Sequence, residues 1–162
     1  MFPGVGEARS AMDVLGKTRL GKLIVDFALS GRPLLGICLG CQILMTESEE
    51  RQTKCLDIFQ GKVRRFDRAA GLKIPHMGWN QVWHRSRHAI FDRIPDGASF
   101  YFVHSYYVEP ASGDIEISDT DYGLSFTSGV ARGNVIAFQF HPEKSGKHGL
   151  QLLDNFFRLE DF

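Results

Sequence analysis

Gly36-Ile37-Cys38-Leu39-Gly40-Cys41-Gln42 is the stretch that decides the fold. Ahead of it, Leu34-Leu35-Gly36-Ile37 is a short apolar run that follows a break at Arg32-Pro33, and it reads as a buried strand. Behind it, Gln42–Glu47 reads as a helix. A strand that turns abruptly into a helix, with glycine two residues to either side of a cysteine, is the G-x-C-x-G form of a nucleophile elbow. The bend needs small neighbours, and Gly36 and Gly40 supply them. This geometry would lift the sulfur out of the sheet at a helix N-terminus, where the dipole favours thiolate over thiol. The backbone N–H of Leu39 would then point at a developing oxyanion. Such a βα turn is the signature of a parallel α/β sheet.

Working outward, Leu20, Leu23, Ile24, Phe27 and Ala28 fall at helical spacing, so an amphipathic helix is predicted there, ending near Gly31. Lys62–Phe66, Ala98–Val108 and Gly123–Ser128 are rich in β-branched and aromatic residues, with turn signals between them. Val130-Ala131-Arg132 and Val135–Phe140 flank Gly133-Asn134, a pair suited to a tight hairpin turn. A last helix is predicted from about Gly146, with Leu150, Leu153, Phe156 and Phe157 facing the core. The whole is an α/β layer structure with an inserted antiparallel segment, and 162 residues leave room for one domain.

Composition excludes several function classes. Nineteen basic residues balance nineteen acidic ones, which leaves no electrostatic footprint for nucleic acid or an anionic membrane. The apolar share of 43% and charged share of 23% are those of a soluble globular chain. The longest apolar stretches, such as Leu34–Leu39, are too short to cross a bilayer. No basic region followed by an apolar one opens the chain. Cys38, Cys41 and Cys55 form no disulfide framework, which fits a reducing cytoplasm. Cys38 and Cys41 also make a C-x-x-C pair, a pattern of redox or zinc sites. Zinc needs further ligands at metal spacing, and Cys55 alone does not supply them. Cys41 within the helix packs instead as a small hydrophobe.

A cysteine nucleophile requires a base. Phe138-Gln139-Phe140-His141-Pro142-Glu143 sets His141 and Glu143 two residues apart, hence on one side of an extended backbone. Pro142 holds His141 in that extended geometry. Glu143 can orient the imidazole, which takes the proton of Cys38. Taken alone, His-Pro-Glu reads as a strand-end histidine beside a solvent-facing glutamate; the elbow is what gives it a catalytic meaning. His84, Arg85, Arg87 and His88 read as a solvated basic loop, and His148 as exposed at the start of the last helix.

Pro3-Gly4-Val5-Gly6, the GICLGCQ elbow, Pro75-His76-Met77-Gly78-Trp79-Asn80, Tyr101-Phe102-Val103-His104-Ser105-Tyr106-Tyr107 and FQFHPEKS together resemble the glutaminase subunits of imidazole glycerol phosphate synthase, a branch of the class I amidotransferases. The matches run over nearly the whole chain. The elbow and H-P-E are general to class I amidotransferases, whereas PHMGWN and YFVHSYY are narrower. The resemblance implies a flavodoxin-like α/β fold, with a mostly parallel sheet flanked by helices plus an antiparallel segment. It implies a glutamine-hydrolysing triad of Cys38, His141 and Glu143, with Gln42 and Ser105 holding the substrate. It places the oxyanion hole at Leu39 and the Gly4-Val5 loop, and a gate at the subunit interface at Trp79, Tyr101 and Lys144. His76 and His104 are expected to be hydrogen-bonding scaffold near the site. Neither metal nor organic cofactor is implied. The implied partner is a cyclase subunit of (βα)₈-barrel type, which receives the ammonia and forms a heterodimer with this chain.

Two departures accompany the resemblance. The family more often carries methionine or another apolar residue at the position of Cys41, which is compatible with packing. It also carries a leading βα segment before the PGVG loop, whereas this sequence opens at Met1-Phe2, so N-terminal strands are expected to be missing. A βαβ unit takes roughly 30 or more residues. The alternatives left open are a paralogous glutaminase serving another synthase and an inactive truncated fragment.

Overall fold

The structure is a computed structural model that describes residues 1–4, 6–67 and 71–159. Strand β1 (Phe2–Gly4) leads into helices α1 (Ala8–Thr18) and α2 (Leu20–Leu29). Strand β2 (Leu34–Cys38) runs straight into the short helix α3 (Leu39–Ile43). Small strands β3 (Glu47–Ser48) and β4 (Thr53–Lys54) precede β5 (Gly61–Arg65). Then come β6 (His76–His84), β7 (Ala98–His104), β8 (Tyr106–Pro110), β9 (Glu116–Asp121), β10 (Ser125–Arg132) and β11 (Val135–Phe138). Helix α4 (Gly146–Arg158) closes the described chain. Among the described residues, no helix is long and apolar enough to cross a membrane.

The sheet is mixed. Its main path runs β1-β2-β11-β10-β8-β5-β3-β4, with β9 pairing β10 and the β6–β7 ladder joined through β9. Among the described residues, parallel pairing is confined to β1–β2, β2–β11 and β3–β5, so antiparallel ladders make up more of the α/β sheet than expected. Strands β2 and β11 are buried on both faces, and every residue in them is shielded from solvent. Their side chains alternate: Leu35, Ile37, Ile136 and Phe138 enter one core with Val82, Phe100, Phe102, Leu152 and Phe156. Leu34, Val135 and Ala137 enter another with Ala28, Cys41, Leu44 and Val63. Each fully buried phenylalanine contributes roughly 1.5–3 kcal/mol of transfer free energy. The two central strands are thus clamped between α2 and α3 on one side and β6, β7 and α4 on the other.

Several sequence expectations shift. The helix expected over Gln42–Glu47 lies earlier, at Leu39–Ile43, because Leu44 and Met45 are fully buried and the chain then turns to pair Glu47 with Lys54 and Lys62. Ala98–Val108 divides at Ser105 into β7 and β8, which join different ladders. In α4 the core face is Leu152 and Phe156, while Leu150 and Phe157 are exposed (65% and 68%). The hairpin is as predicted, with Arg132 opposite Val135 and Gly133 at φ 55°. Asn134 donates to the carbonyls of Ala28 and Arg32, tying the end of α2 to the start of β2.

Candidate active site

The elbow is strained and closely packed. Cys38 adopts φ 53°, ψ −108°, a conformation that costs a non-glycine residue on the order of 1–3 kcal/mol. Small neighbours make it possible. A Cβ on Gly36 would meet Leu44 Cδ1 at 2.9 Å and Ala137 Cβ at 3.0 Å, and one on Gly40 would collide with the Phe2 carbonyl oxygen. Strand β1 therefore lies against the elbow, with Gly4 opposite Cys38 in register. Of the expected oxyanion residues, Leu39 and Gly4 flank the sulfur-bearing residue, while Val5 lies outside the described residues.

Burial dominates the electrostatics of Cys38. It pushes the thiol up to about 11, against the opposing pull of the Leu39 N–H, the Gln139 amide and the Lys144 charge. Burial outweighs the helix dipole here, and the resting sulfur is a neutral thiol. Its S–H donates to the Val103 carbonyl at 3.9 Å.

His141 follows β11 beyond the C-terminal end of β2, the edge at which open α/β sheets place their ligands. Its Nδ1 lies 2.7 Å from Glu143 Oε1. A carboxylate only accepts, so Nδ1 carries the hydrogen and Nε2 is the acceptor. Nε2 is buried and has no hydrogen-bond partner. The backbone of His141 is fixed twice: its N–H donates to the Tyr101 carbonyl at 2.9 Å, and its carbonyl accepts from Ser145 Oγ at 2.6 Å. Ser145 in turn accepts from Tyr101 N–H at 2.9 Å. Sequence reasoning gave Ser145 no role; it is visible only once β7 packs beside the turn.

Cys38, Leu39, Gln42, Glu50, His104 and Ser105 line one cavity of about 330 Å³, with Gly6, Pro75, Val103 and Tyr106. Glu50 was not singled out from the sequence, where it stands among other acidic residues. Its Oε2 accepts from Ala8 N–H at 2.6 Å, which holds a carboxylate at the wall. His104 and His76 are hydrogen-bonded to each other at 2.9 Å, and His104 Nδ1 donates to the Tyr106 carbonyl at 2.7 Å. Burial lowers His76 to about 4 and His104 to about 3, so both are neutral.

Tyr101 is bridged to His141, and Lys144 lies in the turn that follows it. Trp79 faces Tyr101 across the β6–β7 ladder, their rings edge-on with centroids 6.2 Å apart. The Trp79 ring also reaches over Gly146, two residues beyond Lys144. Trp79 and Met77 on β6 are each 59% exposed. The basic cluster His84–His88 lies elsewhere, around an open depression of about 670 Å³ that Asp92 and Asp96 also line. His148 is half-buried rather than exposed. Cys41 is fully buried in the core, and all three cysteines are free. Among the described residues, no group of three or more His, Cys, Asp or Glu side chains could hold a metal ion.

Residues 1–159 match the family model of class I glutamine amidotransferases. The chain belongs to that family. Within it, the chain is 50% identical to imidazole glycerol phosphate synthase subunit HisH of Thermococcus kodakarensis, over 98% of this chain and 82% of that protein. It is 48% identical to the subunit of the same name from Dehalococcoides mccartyi, over 98% of this chain and 77% of that protein. Solved amidotransferase structures share the fold. One glutamine amidotransferase aligns with TM-score 0.69 at 18% identity, covering 96% of this chain and 77% of its own. The glutaminase domain of Trypanosoma brucei CTPS aligns with TM-score 0.61 at 17% identity, covering 96% of this chain and 69% of its own. In this amidotransferase chain the cavity opens where the parallel strand β2 ends.

Proposed function

We propose that this chain is the glutaminase subunit of an imidazole glycerol phosphate synthase and hydrolyses the side-chain amide of glutamine through Cys38, His141 and Glu143. One observation carries the reading. A buried imidazole, oriented by a carboxylate and with its second nitrogen unpartnered, follows the strand beside a strained cysteine at the wall of a cavity.

The reaction runs in two halves. His141 Nε2 takes the Cys38 proton as the sulfur attacks the carboxamide carbon, which suits a thiol that burial keeps neutral. The resulting oxyanion is held by the Leu39 N–H and the Gly4-Val5 loop. The imidazolium returns its proton to the departing nitrogen, ammonia leaves, and a thioester remains. A water then gives a proton to His141 and attacks the thioester carbon; the sulfur leaves with that proton, and glutamate is released. Glu143 steadies the imidazolium in both halves. Gln42 and Ser105 bind the substrate, and Glu50 supplies an anion for its ammonium group. Trp79, Tyr101 and Lys144 sit at the interface with a (βα)₈-barrel cyclase subunit. There the ammonia is used to form imidazole glycerol phosphate in histidine biosynthesis.

The test is covalent labelling with a glutamine-analogue electrophile, mapped by peptide mass spectrometry. Cys38 should be modified and protected by glutamine, with Cys41 and Cys55 largely untouched. Modification at Cys41 in place of Cys38 would discard the triad and revive a redox reading.

A further inference from the structure

Behind the nucleophile lies a buried polar chain in which the proposed reaction gives Gln42 a role but leaves Gln139 without one. The Tyr106 carbonyl accepts two hydrogen bonds, from His104 Nδ1 at 2.7 Å and from Gln42 Nε2 at 3.0 Å. A carbonyl can only accept, so Gln42 must present its amide nitrogen on that side. The second hydrogen of the same nitrogen goes to Gln139 Oε1 at 3.1 Å. That contact fixes the orientation of the next amide in turn. With its oxygen held by Gln42, Gln139 turns Nε2 toward Cys38 Sγ at 3.8 Å, within range for a hydrogen bond to sulfur. Gln139 is fully buried, and its backbone N–H is held by the Ser128 carbonyl at 2.9 Å. The amide therefore cannot swing away to find water.

We infer that Gln139 is a positioning residue for the nucleophile: its amide, oriented by Gln42, donates to the Cys38 sulfur and stabilises the thiolate formed when His141 takes the proton. The inference rests on the proposed role of Cys38 and deepens it. A buried anion is costly without donors, and hydrogen bonding to the charged form favours that form. Here two donors meet the sulfur, the Leu39 N–H and the Gln139 amide, and both lower a thiol that burial raises. The other charged or titratable groups around it are Glu143 and Lys144 on the turn after β11, His104 from β7, Glu50 across the cavity and Cys41 on α3, with His141 near enough to act on His104. Of these, Glu143 opposes the thiolate and Lys144 favours it. Gln139 differs from them all in touching the sulfur without carrying a charge, so replacing it changes the local field without removing a proton acceptor.

The experiment is alkylation of the whole chain by iodoacetamide, a small neutral probe that needs no substrate site, followed peptide by peptide between pH 7 and 9.5. Gln139→Glu keeps the shape and an acceptor for Gln42 but puts a carboxylate against the sulfur. Gln139→Met keeps the volume and removes the donor. Below the thiol pKa the Cys38 rate tracks its thiolate fraction, so losing a donor to a charged group should slow it about tenfold at fixed pH in Gln139→Met. Gln139→Glu should slow it further, with the slope of log rate against pH retained. Thermal unfolding of both variants identifies any that has lost its fold, and the folded one carries the test. Unchanged Cys38 rates in a folded variant would overturn the inference while leaving the nucleophile in place. Absence of Cys38 labelling in the unsubstituted chain, with Cys55 labelled, would overturn the nucleophile and the inference together.

Discussion

Gly40→Ala sets two physical rules against each other. Gly40 lies in helix α3, where alanine is intrinsically favoured over glycine by about 1 kcal/mol. Propensity alone therefore predicts a more stable protein. Packing predicts the reverse, because the new methyl group would collide with the carbonyl oxygen of Phe2, a backbone atom of β1 that cannot rotate away. Overpacking of this kind costs about 1–3 kcal/mol, and a backbone obstacle belongs at the upper end. The net expectation is a loss of roughly 2 kcal/mol, or a fall in Tm of about 4–8 °C for a chain of this size. Relief comes most easily by moving β1, which is held to β2 by only three paired residues. That movement carries Gly4 away from Cys38, and loss of one donor from the proposed oxyanion hole costs roughly 10²–10³ in turnover. Denaturant unfolding and the rate of Cys38 labelling by a glutamine analogue measure the two effects separately. Gly16→Ala in α1 is the control, since a methyl group there meets nothing within 4 Å and should stabilise by up to about 1 kcal/mol. If Gly40→Ala stabilises as much as Gly16→Ala and labels at the original rate, the close approach of β1 to the elbow is refuted.

Acidification should destabilise the chain through His76 and His104. Their folded pKa values of about 4 and about 3 lie below the ordinary histidine value. Between pH 6.5 and 4 the unfolded chain binds protons that the folded one refuses, so stability falls as pH falls, by up to about 1.4 kcal/mol per pH unit for each histidine. Melting curves at pH 7, 5.5 and 4.5 should show this, and His76→Gln should flatten the dependence; an equal slope in both proteins would show that the pair is not its source. Glu143→Gln keeps an acceptor for His141 Nδ1 but removes the charge that steadies the imidazolium. Glutamate release should drop by about 10²-fold or more, with a change in unfolding free energy within about 0.5 kcal/mol because the side chain is 43% exposed and the amide keeps the hydrogen bond. Undiminished turnover would remove Glu143 from the proposed triad.

What the sequence made legible was what local rules control. The elbow, the strand before it, the α2 helix and the hairpin at Gly133 each depend on residues within a few positions of one another, so glycine, proline and periodicity announce them. His141 and Glu143 were readable as neighbours, but not for the reason expected: the chain does not stay extended, and a 3-10 turn over Pro142–Lys144 is what brings Glu143 to His141 Nδ1. The core face of α4 was read in part: Phe156 and Leu153 pack on the core as expected, but Leu150 and Phe157 are as apolar as Leu152 and Phe156, and only the position of β7 and strands β2 and β11 decides which stripe is covered. Glu50, Ser145 and Gln139 carried no local signal at all. Each acquires its place from a contact more than 40 residues away: Glu50 with Ala8, Ser145 with Tyr101, Gln139 with Gln42 and Cys38.

The same division explains why the thiol departs from the sequence expectation. An elbow read in isolation predicts an activated sulfur, because only the helix end and the adjacent N–H are in view. In the folded chain the sulfur is enclosed by β7 and by the residues after β11, and the cost of desolvation exceeds what two donors and a lysine return. A neutral thiol whose hydrogen rests on the Val103 carbonyl is a poor nucleophile until a base reaches it. In the proposed reaction that base is His141, whose Nε2 stands buried and unpartnered. Deprotonation then coincides with attack rather than preceding it. An amidotransferase gains from that order: a standing thiolate would be open to oxidation and alkylation, whereas a thiol ionised mainly beside its substrate reacts only slowly in the empty cavity. The donors around the sulfur consequently matter most in the transition state, where the charge develops, and least in the resting enzyme.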